Sequence, residues 1–98
     1  MSDRLVDIRA RLDWWRPGPD KVLSVKVTQQ LIDDAAALLN DYDEVGLVSD
    51  RAQIIRASLE RWRDNPPQVG RQFTWDALFA LVFDAHYLLG AVEAVRSA

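Results

Sequence analysis

Leu23-Ser24-Val25-Lys26-Val27-Thr28 alternates apolar and polar side chains, and the reading of this short stretch decides the fold. A period of two is the pattern of a strand with one buried and one exposed face. It sets Leu23, Val25 and Val27 on one side and Val22, Ser24, Lys26 and Thr28 on the other. No second stretch of the chain repeats the pattern convincingly, and a lone strand leaves its backbone N–H and C=O groups without partners. The expectation is a homodimer in which two copies of the strand pair antiparallel about a two-fold axis, burying the Leu/Val faces on the helices that follow. A wholly helical chain, with 23–28 as an extended linker, is the alternative.

Beyond the strand, Thr28 is placed to cap a helix whose Leu31, Ile32, Ala35, Leu38, Leu39 and Tyr42 share one face, with Asp33, Asp34, Asp41 and Asp43 opposite. Gly46 can take the left-handed conformation that ends such a helix. Ser49 then caps a second helix carrying Ile54, Ile55, Leu59 and Trp62, and Asn65-Pro66-Pro67 stops it. Strand, helix, short glycine turn and helix is the order predicted for 22–64.

This order resembles the ribbon-helix-helix family of bacterial and phage DNA-binding proteins, through Ser24-Val25-Lys26-Val27, Gln30-Leu31 and Gly46-Leu47-Val48-Ser49-Asp50-Arg51-Ala52-Gln53-Ile54-Ile55-Arg56. The resemblance implies a mainly α fold, a dimer with one strand per chain paired with its mate, and a dimer core of Leu23, Val25, Val27, Ile55, Leu59 and Trp62. It further implies base contacts from Val22, Ser24 and Lys26, with phosphate held by Val48, Ser49, Asp50 and Arg51. The chemistry agrees, because lysine donates to guanine edges, serine donates or accepts, and free amides at a helix N-terminus attract phosphate. Charge pulls the other way: 22–64 holds Lys26, Arg51, Arg56, Arg61 and Arg63 against Asp33, Asp34, Asp41, Asp43, Glu44, Asp50, Glu60 and Asp64. DNA affinity rests on phosphate neutralisation, so these charges have to be segregated, with the acids on the first helix and Lys26 and Arg51 toward the ribbon.

Two extensions flank this part. At 1–16, Leu5, Ile8, Leu12 and Trp15 fall at helical spacing before Arg16-Pro17-Gly18-Pro19 breaks the pattern. At 74–96, Leu78, Phe79, Leu81, Val82, Phe83, Tyr87, Leu88, Leu89, Val92 and Val95 cover nearly the whole circumference of a helix, which calls for burial in protein. Asp84 and His86 interrupt the run, so no membrane span is expected. The helix either completes the dimer core or docks a protein partner, as the C-terminal segment does in antitoxins of the ribbon-helix-helix class.

With 98 residues, 49% hydrophobic content and a net charge of −3, the chain reads as one small globular domain and not a sequence-blind nucleic-acid binder. The absence of cysteine removes disulfides, thiol catalysis and the common zinc modules. The start of the chain has no apolar signal core, so a cytoplasmic location is expected. His86, the sole histidine, lies on an apolar helix with no carboxylate at hydrogen-bonding spacing, and no phosphate loop or metal-ligand spacing occurs. Neither an enzyme nor a cofactor is expected. The sequence thus predicts a dimeric, sequence-specific transcription regulator such as a repressor, bound to double-stranded DNA. The alternative is a dimeric interaction factor, an antitoxin or phage accessory protein, that binds a protein through its C-terminal helix.

Overall fold

Val25 opens a helix. In the computed structural model, which describes residues 4–15, 25–65 and 75–97, Val25, Lys26, Val27 and Thr28 form the first turn of α2 (Val25–Glu44). The other elements are α1 (Arg4–Trp14), α3 (Asp50–Asp64) and α4 (Trp75–Ser97), and no strand occurs among the described residues. The ribbon-helix-helix-like dimer, with one strand per chain, is therefore corrected to an all-helical arrangement. Val25–Thr28 is not an extended linker either, while Val22, Leu23 and Ser24 lie outside the described residues. A four-residue alternation is too short to separate the two periods. Val25, Thr28 and Ile32 also recur at helical spacing, and β-branched residues lose only about 0.5 kcal/mol each in a helix. Extending α2 by one turn adds a backbone hydrogen bond per residue, whereas a strand here pairs with nothing in its own chain.

α2 is the central element. It buries Leu31, Ile32, Ala35, Leu38, Leu39 and Tyr42, and it packs against each of the other three helices. Its C-terminus closes as expected at Gly46, whose φ of 83° lies in the left-handed region. The Leu47 N–H donates to the Tyr42 carbonyl at 3.2 Å and the Gly46 N–H to Asp43 at 3.1 Å, the paired bonds of a Schellman motif. Ser49 then sits in extended conformation as the N-cap of α3, its Oγ accepting from the Ala52 N–H at 3.1 Å.

Ion pairs fix the directions of the helices. Arg4 pairs with Asp41, and Arg11 donates to Asp34 through Nε at 2.7 Å and through a terminal nitrogen at 2.9 Å, so α1 runs antiparallel to α2. Arg9 pairs with Glu93, and Arg96 approaches Asp41 to 3.9 Å, so α1 is antiparallel to α4 as well. The result is a helical bundle centred on α2, with α2 and α4 parallel and α1 antiparallel to both. Ile55 and Leu59, expected in a dimer core, are buried within this single chain, with Trp62 packed against them.

The expectation that α4 is buried on all sides is met on one side only. Leu78, Leu81, Val82, Ala85, Leu88, Leu89 and Val92 enter the core. Ala80, Gly90 and Ala94 are exposed, and Phe83 is 64% exposed.

Candidate functional site: the outer face of α4

Along α4, Ala80, Phe83, Tyr87, Gly90 and Ala94 recur at intervals of three and four residues, the spacing of a seam that faces another helix. The same alternation supplies the inward face through Leu78, Leu81, Ala85, Leu88 and Val92. α4 thus carries two seams, and the bundle occupies one of them. That doubling is why the sequence looks apolar all round, and it hides the outer seam behind the inner one.

Glu93 and Asp84 of α4 flank the outer face. Glu93 pairs with Arg9 on the α1 side, and Asp84 faces Arg51 of α3 at 4.0 Å. Burial raises the Asp84 carboxyl above its ordinary range, and Arg51 only partly offsets this. Other exposed apolar side chains lie on α1 and α3. Val6, one turn before Arg9, is 61% exposed, and Ile54, one turn after Arg51, is 67% exposed.

Tyr87 anchors the middle of the seam to the bundle. Ser49 Oγ accepts from the Tyr42 hydroxyl at 2.8 Å and lies 3.0 Å from the Tyr87 hydroxyl, while the Arg51 guanidinium stacks 4.5 Å above the Tyr87 ring. The hydrogen bond to Ser49 and the nearby Arg51 charge pull the Tyr87 phenol below its ordinary range against the opposing effect of burial. At Tyr42 the Ser49 bond acts in the same sense, but burial and the neighbouring Tyr87 prevail and push that phenol up. One hydroxyl thereby links the ends of α2 and α3 to the outer half of α4. The sequence shows Ser49 as a cap but does not show that two tyrosines far apart in the chain converge on it.

Of the residues expected to contact DNA, Lys26 lies at the far end of α2 from the phosphate set. Val22 and Ser24 fall outside the described residues, and Lys26 is exposed on the first turn of α2. Val48, Ser49, Asp50 and Arg51 are at the opposite end of that helix, where Val48 is 85% exposed, Ser49 is held by the tyrosines and Arg51 is engaged with Tyr87 and Asp84. Of the expected dimer core, Val25 and Val27 are half-buried on α2 and Leu23 is not described. Hollows also open between the helices among the described residues. One of about 320 Å³ between α1 and α2 is lined by Trp14, Trp15, Val27 and Leu31, and one of about 430 Å³ between α2 and α3 has Ile32, Leu39, Leu59 and Trp62 in its lining. Among the described residues, no three side chains of metal-ligating type converge. Comparison with protein families, with curated proteins and with solved structures finds no match to this chain.

Proposed function

We propose that this chain is a helical protein–protein interaction factor that buries the outer face of α4 against a helix of another polypeptide. The observation that carries this reading is Phe83, 64% exposed within an uncharged seam of three-and-four spacing. A helix laid along such a seam is read through anchors at i, i+3, i+4 and i+7, and Ala80, Phe83, Tyr87, Gly90 and Ala94 supply that series. The DNA-reading alternative has less behind it. Its ribbon is replaced by the first turn of α2, and Arg4, Arg9, Arg11, Arg51, Arg56 and Arg96 are all engaged with carboxylates in a chain of net charge −3.

Photo-crosslinking tests the proposal. A benzoylphenylalanine at position 83 is expected to give a protein adduct in the cells that make the chain, whereas the same group at exposed Gln53 of α3 gives none. By length and composition alone, Ala77–Arg96 would also cross a bilayer. An adduct with lipid only, or no adduct specific to position 83, would refute the reading.

A further inference from the structure

We propose that the hollow between α1 and α2 is a binding site for an uncharged aromatic molecule of one or two fused rings. None of its lining residues belongs to α4, so the site stands apart from the outer face of that helix. Size sets the first limit. A cavity of about 150 Å³ walled by leucine, isoleucine and phenylalanine takes up one benzene, and ligand sites begin at roughly 300 Å³. This hollow, at about 320 Å³, has room for a second ring.

The walls set the ring chemistry. Trp14 and Trp15 meet edge to face, with ring centroids 5.1 Å apart and planes at 87°. Two indoles at right angles form a corner in which a third flat ring lies parallel to one and edge-on to the other, the two arrangements that aromatic pairs favour. Trp15 is buried whereas Trp14 is 39% exposed, so a ligand in the corner covers indole surface that otherwise meets water. Ala10, Val27 and Leu31 add aliphatic surface to the lining.

Charge sets the last limit. The charged residues in the lining are Arg11 and Asp34, and they neutralise each other. Asp34, 5% exposed, accepts from Arg11 at 2.7 and 2.9 Å and from the Gln30 amide at 3.1 Å. An anion entering the hollow would meet the Asp34 carboxylate, and a cation would meet the Arg11 guanidinium. Either would give up its hydration beside a wall with no unused counter-charge. An uncharged ring bears no such cost.

Indole is the probe, and methyl NMR of the full chain is the readout. Indole is expected to shift the Val27 and Leu31 methyl signals saturably, while its anionic and cationic relatives, indole-3-acetate and tryptamine, bind roughly tenfold more weakly or worse. Ala10→Phe puts a ring into the hollow from an exposed helix position, and is expected to keep its helicity while weakening indole binding by roughly tenfold or more. Ala36→Phe, in the lining of the separate hollow between α2 and α3, leaves indole binding unchanged. Absence of saturable shifts up to the solubility of indole would overturn the site, as would saturation that survives Ala10→Phe with the helices intact. Loss of binding in a folded Ala36→Phe would place indole in the other hollow and overturn it too. Binding of either charged relative as tightly as indole would overturn the assignment of an uncharged ligand. The three probes are compared on the unaltered chain, so that comparison decides even if Ala10→Phe unfolds.

Discussion

Removing Arg11 should cost this protein more than removing Asp34, although the two form a single ion pair. The asymmetry comes from burial: the Asp34 side chain is 5% exposed and that of Arg11 41%. In Asp34→Leu, the arginine swings into water and recovers its hydration, so the loss is about 1 kcal/mol, the net value of its hydrogen bonds. In Arg11→Met, the carboxylate remains in place with only the Gln30 amide at 3.1 Å to stabilise it. An uncompensated buried charge of this kind costs about 3 kcal/mol. The double variant, Arg11→Met with Asp34→Leu, replaces the pair by two apolar side chains and is expected to return to within about 1 kcal/mol of the wild type. Urea unfolding followed by far-UV circular dichroism gives all three values. In a domain of this size, about 3 kcal/mol corresponds to a melting temperature lowered by roughly 15 °C. The reasoning is refuted if Arg11→Met is no worse than Asp34→Leu, or if the double variant is as unstable as the worse single one.

Two further predictions concern the Ser49 junction and its neighbour Asp84. Ser49→Ala removes the cap of α3 and leaves the buried Tyr42 hydroxyl without its acceptor, so a loss of about 2 kcal/mol is expected by thermal unfolding; a negligible shift in melting temperature would contradict the junction's role. Asp84 holds its proton more tightly in the folded chain than in the unfolded one, so its protonation as pH falls through the carboxylate range adds stability. Asp84→Asn should therefore match or exceed the wild-type melting temperature at neutral pH and converge with it in acid; a deficit at neutral pH that persists in acid would show that the Arg51 pair outweighs burial.

The sequence reveals those parts of the fold that rest on long periodicity or specific turn chemistry. The α2 stripe from Leu31 to Tyr42, the left-handed Gly46 and the Ser49 cap all occur where their residue types demand them. The expected strand gives way to helix over Val25–Thr28 because local alternation is weak information beside a helix that can simply extend by one turn. Distant pairings are the second gap. Asp34 and Asp41 belong to the polar face of α2 by periodicity, yet both are buried because arginines of α1 reach them from another segment. The site shows the same limit. Phe83, Gly90 and Ala94 are visible as apolar or small residues, but which of the two seams the bundle consumes is settled only when α4 is packed.

Arg4 and Arg11 of α1 are seven residues apart, as are Asp34 and Asp41 of α2, and this shared spacing acts as an alignment code. Leu5, Ile8, Leu12 and Trp15 also follow three-and-four spacing, so their apolar surface alone would tolerate α1 sliding by two turns along its groove. Such a slide would place Arg11 at Asp41 and leave Arg4 beyond the end of α2. It would also strand Asp34 in the core with no cation. The apolar residues thus choose which face of α1 is buried, while the paired charges choose its position along the axis, and a misaligned folding intermediate meets an electrostatic penalty that hydrophobic packing alone would not impose.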